Sequence, residues 1–393
     1  MYNVDILMRA QSQQESLSAI RRHLHQNPEI GFEEVETTAL IKRELEKLNV
    51  EIAPLSIATG VLGIIRGTKP GIGKVIALRA DIDALPIQEQ TGVAHASARA
   101  GVMHACGHDG HTAVLIGVAR LLSEMRDRFS GTVKLLFQPA EERLTGATSM
   151  IAAGVLENPV PEMILALHGG TETPLGKVGV WSGPFMASAD QFSVTVTGAG
   201  GHAAYPHRNR DPLLAAAHAV VALQSIVSRE IDAVDKAVLS VCQFHAGAAF
   251  NVTPEEAVIN GSVRCHDPKV RASMPERIDR IVGGIVGGLN CSHKLEYNFG
   301  IPAVANDPAV MESFRQAAGD VLGPDNLFAL ERPLMGSEDF AFFLEKIPAG
   351  GIFRLGLGTA PGRILHNPRF DFPDEALAKG VAAMTAFALR QCQ

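Results

Sequence analysis

Apolar and charged residues alternate at helical spacing over residues 15–49, with Pro28 and Gly31 dividing a first helix from a second that runs through 34–48. Two β-like runs follow, 60–67 and 74–80, separated by the turn residues Pro70, Gly71 and Gly73. The second ends at Asp81-Ile82-Asp83, just past the carboxyl end of a buried strand, where open α/β sheets place their ligand crevice. A helix over 112–125, a strand over 131–138 ending in Pro139-Ala140-Glu141-Glu142, a helix near 147–154 and a buried strand over 163–167 closed by His168 come next. Three successive strand ends thus deliver an acid, an acid pair and an imidazole, the βαβ way of assembling one site from distant segments.

The pattern changes near Gly183. Residues 191–197 alternate with a period of two, as a half-exposed antiparallel strand does, and a long Ala/Val-rich helix follows over 212–228. Strands at 237–244 and 257–265, a helix over 270–289 and a strand at 294–298 complete a β-α-β-β-α-β order, the split ferredoxin-like pattern. A helix at 308–318, a strand at 351–357 and a final helix over 374–390 close the chain. The fold class is therefore α/β, with a larger domain made of 1–182 and 300–393 and a smaller ferredoxin-like α+β domain, 183–299, inserted between its two pieces. Insertion at a surface loop is tolerated because the chain ends there can lie close together.

Composition narrows the function. The 393 residues are 46% hydrophobic and 20% charged, enough for a large core and long enough for two domains. Acidic residues outnumber basic ones 42 to 35, and without a concentrated positive face a nucleic-acid partner is excluded. The five cysteines, 106, 242, 265, 291 and 392, form no regular framework and suit a reducing compartment. Residues 1–14 lack the apolar core of a signal peptide and no later stretch reads as a membrane span, so a cytoplasmic enzyme without a membrane partner is expected.

The densest chemistry is the run from Gly101 to His111, with one thiol and three imidazoles within eight residues. Thiolate and neutral imidazole together hold zinc, nickel or cobalt well and manganese acceptably. Cys106 and His108, one residue apart, point to one side of an extended or looping backbone. Glu142, His168 and His366 complete five ligands for two metals, one ligand being shared. Adjacent carboxylates at a strand end do not easily face the same way, so Glu142 is assigned to metal and Glu141 to substrate, as the general base and acid acting on metal-activated water. Asp81 and Asp83 project to one side of their strand, and Asp81 is given the task of orienting a ligand imidazole through its far nitrogen. Each residue has a plainer reading: Cys106 as a small buried hydrophobe, Glu141 and Glu142 as a solvated loop, His168 as a satisfied core histidine, His366 as a turn cap. His111, at a helix start beside Asp109, reads as a residue that supports a ligand from behind or as a structural one, and not as a ligand. In the smaller domain His202 follows three glycines and is placed as a donor to the developing oxyanion, while Asn251 and Arg264 are candidates for binding substrate polar groups. A thiol amidase built on Cys106 and His108 is the rival chemistry, and it leaves the two glutamates and the two remote histidines unused.

With these residues in view the chain resembles the M20 metallopeptidase family, in its aminoacylase, hippurate hydrolase and indoleacetyl-amino-acid hydrolase branch. The resemblance rests on Arg79-Ala80-Asp81-Ile82-Asp83-Ala84-Leu85-Pro86, the cluster from Met103 to Thr112, Gln138-Pro139-Ala140-Glu141-Glu142, Gly200-Gly201-His202-Ala203, Phe250-Asn251-Val252, Gly336-Ser337-Glu338-Asp339-Phe340 and Leu365-His366-Asn367-Pro368. It implies a di-metal centre bridged by Cys106, with zinc, manganese, nickel or cobalt as the ions, Glu141 as base, and His202 and Asn251 reaching the cleft from the smaller domain. It also implies a homodimer, with a tetramer as the alternative, and cleavage of N-acyl amino acids, a dipeptidase or aminopeptidase being the runner-up.

Overall fold

The computed structural model describes residues 3–358 and 364–393. They form two compact units, the larger made of the chain up to Gly183 with Ala305–Pro333 and Asp339–Gln393, the smaller of Pro184–Val304 with Leu334–Glu338.

The larger unit is built on an eight-stranded sheet in the order Glu51–Ala53, Val61–Arg66, Thr132–Gln138, Val75–Asp81, Met163–Gly170, Gly350–Gly356, Val178–Val180, Leu327–Ala329. Four central strands, Thr132–Gln138, Val75–Asp81, Met163–Gly170 and Gly350–Gly356, run parallel and are buried almost throughout, which is why their sequences are apolar without alternation. Register sets Asp81 beside Gln138, so the Asp81 end and the Glu141-Glu142 turn leave the sheet together. His168 lies within its strand, two residues before the end, because pairing with Gly350–Gly356 carries the ladder on to Gly170.

In the smaller unit the strand order is Ala237–Ala246, Glu256–Cys265, Ala189–Thr197, Ser292–Ile301, all antiparallel, with the helices Pro212–Ser225 and Pro268–Gly288 supplying the β-α-β-β-α-β connections. Met274, Ile278, Val282 and Val286, four residues apart, put one stripe of the second helix against Val194, Val196 and Ile259 in a single core. Asp211, Asp267 and Asp307 each precede a proline and accept backbone N–H groups from the first turn, which starts three helices where the sequence turns from strand to helix.

Two expectations need correction. The return to the larger unit comes after Val304 and not after 299, since the strand Ser292–Ile301 continues the antiparallel sheet. Leu334–Glu338 also belongs to the smaller unit: Leu334 donates to the Phe185 carbonyl at 2.8 Å, Gly336 accepts from Ala187 at 2.9 Å, and Arg264 reaches Ser337 at 3.1 Å. Further, the 19 residues Pro212–Glu230 are by length and composition alone long and apolar enough to cross a membrane, which the sequence reading did not expect of any stretch. Its Ala215, Ala216, Ala219, Leu223 and Ile226 are buried in the core of the smaller unit, where small side chains let the helix sit close to the sheet.

Candidate metal centre

The Cys106 loop runs into the helix His108–Glu124 through Gly107, whose φ of +88° is the left-handed conformation that glycine adopts without steric cost. A side chain there would also meet the Phe372 ring at 3.0 Å, and one at Gly110 would meet it at 2.5 Å. The two glycines thus let Phe372 pack close against the first turn, edge-on to His111.

The ligand atoms of Cys106, His108 and His168 lie within 4.8 Å of one another, and so do those of Cys106, Glu142 and His366. These are two potential divalent-metal clusters, both inside the larger unit and sharing Cys106. Cys106 Sγ stands 3.5 Å from His168 Nε2, and His366 Nε2 stands 3.3 Å from Glu142 Oε1. His366 is tied to the thiol loop by its backbone N–H, which donates to the Ala105 carbonyl at 2.8 Å.

The donors fit a cation. His108 Nδ1 faces the Asp83 carbonyl at 2.9 Å and its carboxylate at 3.2 Å, so the ring proton is there, and buried Nε2 is left without a hydrogen-bond partner. Burial, with the Arg354 charge next, holds His168 well below the usual imidazole range, the neutral form that a metal takes. Burial alone would raise Glu142, and the hydrogen bond from His366 is the largest of the contacts that outweigh it, so its carboxyl is lowered. Burial pushes the Cys106 thiol up to about 12, so a thiolate at this position needs a cation beside it. The same value argues against the thiol amidase, whose nucleophile requires a lowered pKa.

Glu141 is buried, and its carboxylate lies within 4.8 Å of the ligand atoms of both His108 and Glu142. The two adjacent carboxylates therefore converge, against the expectation that they diverge. The backbone explains it: Ala140 has a φ of +51° and donates its N–H to Glu34 Oε1 at 2.8 Å, so the chain turns before Glu141 and alternation ends. Glu34, pushed up to about 6 by burial, is a supporting residue that sequence reasoning missed; at the N-terminus of a distant helix it carries no local signal.

The task expected of Asp81 falls to its neighbour. Asp83, not Asp81, holds His108, and its other oxygen accepts from the Glu142 N–H at 3.0 Å, linking two donors of the site. Asp81 lies 3.7 Å from His108 Nε2, accepts from Arg79 at 2.7 Å, and meets His111 Nδ1 at 2.6 Å. The period of two put both on one side, and only the approach of the helix decides which imidazole each meets.

Within the smaller unit the structure brings His202 and Asn251 together: His202 pairs with Val252 in a short two-stranded sheet, and Ala203 donates to the Asn251 carbonyl at 3.1 Å. His202 Nδ1 accepts from Ala204 at 3.1 Å, so the exposed Nε2 carries the proton. Arg264 lies apart from them, on Glu256–Cys265 with Ser337.

Behind His108, Asp109 accepts from His25 Nδ1 at 2.8 Å, and His25 Nε2 meets Glu89 at 3.3 Å. Burial opposes charging of His25, yet Asp109 and Glu89 raise it to about 9. A histidine raised from 6.5 to 9 stabilises the fold in full below pH 6.5 and loses that contribution as pH rises through 9, about 3 kcal/mol in all. Urea midpoints of the metal-free protein measured from pH 6 to 10 are expected to fall across this window, and His25→Gln is expected to flatten that slope. An unchanged slope in the variant would remove His25 as its source.

A buried thiol common to two donor clusters, with a further carboxylate at their edge, defines a two-metal hydrolase. The model described as Peptidase family M20/M25/M40 matches residues 77–390. The N-acetylcysteine deacetylase of Bacillus subtilis is 42% identical over 359 residues, 91% of this chain and 92% of that one. The hippurate hydrolase of Campylobacter jejuni is 38% identical over 374 residues, 94% and 95% of the two chains. A solved Bacillus subtilis structure, a dinuclear metal binding peptidase from the M20 family, matches with a TM-score of 0.85 at 37% identity, covering 97% of this chain and 99% of that one. The chain belongs to peptidase family M20/M25/M40, and its enzymatic type is that of a metal-dependent amidohydrolase.

Proposed function

We propose that this protein hydrolyses the amide bond of N-acyl amino acids, releasing a carboxylate and a free amino acid, with two divalent ions per chain. The observation that carries the reading is the Cys106 thiol shared by two donor clusters, with Glu141 beside them. The relatives' names support the acyl side, since acetylcysteine and hippurate are both amides of an amino-acid nitrogen.

Divalent ions held by Cys106, His108, Glu142, His168 and His366 would supply Lewis acidity to the amide carbonyl and acidity to water. The protein's own task falls to Glu141, which takes the proton from the attacking water and returns it to the departing nitrogen. His202, with its outward Nε2–H, is assigned as donor to the developing oxyanion, and Asn251 and Arg264 as partners of the substrate's polar groups. Thiolate and imidazole favour zinc or nickel, with manganese and cobalt as the remaining choices. A homodimer, alternatively a tetramer, in a reducing cytoplasm completes the proposal; the five free cysteines accord with that compartment.

The test is a substrate panel on metal-repleted protein: N-acetyl, N-benzoyl and indoleacetyl amino acids against dipeptides. At least one acyl class is expected to exceed every dipeptide in kcat/KM by about tenfold or more, a difference of 1.4 kcal/mol in transition-state binding. Faster dipeptide cleavage would make the protein a dipeptidase or aminopeptidase of the same family instead.

A further inference from the structure

His111 is wholly buried, and both of its ring nitrogens are engaged. Its Nε2 receives the backbone N–H of Gly169 at 2.7 Å, so that nitrogen bears the lone pair and the ring proton sits on Nδ1. There Asp81 Oδ1 accepts it at 2.6 Å. The carbonyl of Gly169 in turn accepts from His168 Nδ1 at 2.8 Å. His168 Nε2 is left as the lone-pair nitrogen, 3.5 Å from Cys106 Sγ.

Sheet topology explains why an imidazole takes this place. Pairing between Val75–Asp81 and Met163–Gly170 is last registered at Arg79 with Ala166, whereas on the other edge Gly350–Gly356 pairs on to Gly170. Beyond the shorter ladder the Gly169 N–H is met by a side chain and not by a strand. Gly169 also has no room for a side chain, because a Cβ would lie 2.7 Å from Leu357 and 3.4 Å from His111 Nε2. At the far end Asp81 is anchored by Arg79, which also bonds Gln138 at 2.8 Å and Asp339 at 3.1 Å.

We propose that His111 is a positioning residue of the metal centre and not a ligand: held by Asp81, it fixes the Gly169 backbone, and that backbone fixes the ring orientation and tautomer of His168. The inference rests on the two-ion reading. It predicts an asymmetric effect, because the relay ends at His168 and does not touch Glu142 or His366.

The experiment titrates Co²⁺ into wild type, His111→Ala and His111→Gln in competition with a chromophoric chelator, recording the cobalt absorption spectrum and the melting temperature of each metal-free protein. Wild type is expected to take up two ions per chain. In His111→Ala one ion is expected to bind about 10–100-fold more weakly, with the other within about threefold of wild type. In His111→Gln, whose amide oxygen can accept the Gly169 N–H, part of the lost affinity is expected to return. Two ions at wild-type affinity in both variants would overturn the proposal. So would equal loss in Ala and Gln, which a direct ligand gives, or equal weakening of both ions together with a lower metal-free melting temperature, which a merely structural residue gives. If His111→Ala does not fold, His111→Gln and Asp81→Asn carry the comparison: the conservative changes are then expected to weaken one ion and spare the other. Wild type that takes up fewer than two ions would instead sink the two-ion reading, and this inference with it.

Discussion

Glu141→Gln is expected to lower kcat by about 10²–10⁴-fold while the protein still binds two ions per chain, the range that a positioned proton-transfer group contributes. The substitution conserves size and removes only the ability to take a proton. Glu142, its neighbour, meets His366 and shares a cluster with Cys106, whereas Glu141 lies near His108 and Glu142 but outside both clusters that contain the thiol. That difference separates the two roles. If Glu141 is the base, the loss falls on kcat and metal content stays at the wild-type level; if it is a ligand, metal content falls with activity. Steady-state kinetics paired with metal analysis on the same preparation distinguishes these outcomes, and a loss in kcat below about tenfold would remove Glu141 from proton transfer.

The parts of this site that are legible in the sequence are those governed by local rules. Strands buried on both faces show as unbroken apolar runs, and their ends announce Asp81, the Glu141-Glu142 pair and His168. Cys106 and His108 show through the density of soft donors. What depends on how distant segments meet is not legible. Whether Asp81 or Asp83 meets His108 turns on where the helix His108–Glu124 approaches the strand end. The convergence of two adjacent glutamates turns on a positive φ at Ala140 and on Glu34, which is 106 residues away in sequence. The return of Leu334–Glu338 to the smaller unit depends on backbone pairing with Phe185 and Ala187, which no hydrophobic pattern encodes.

Cys106 is the residue whose loss is expected to reach furthest, since it is the one donor present in both thiol-containing clusters. Cys106→Ala is expected to weaken both ions by more than about 100-fold, beyond the 10–100-fold typical of an outer-sphere partner, and to abolish turnover. His366→Ala removes a donor from one cluster only, and its side chain is 53% exposed, so it is expected to release chiefly one ion and to leave the folded protein otherwise intact. Cys106→Ser separates charge from softness: its oxygen can occupy the sulfur's place, but it resists ionisation and suits harder ions, so any recovered binding is expected to favour manganese over zinc. Equilibrium dialysis of the three variants against Zn²⁺ and Mn²⁺ reads these differences directly. Chelation of wild type is expected to abolish activity, with recovery on adding a divalent ion. Loss of a single ion in Cys106→Ala, with the other unaffected, would show that the thiol serves one cluster and not both.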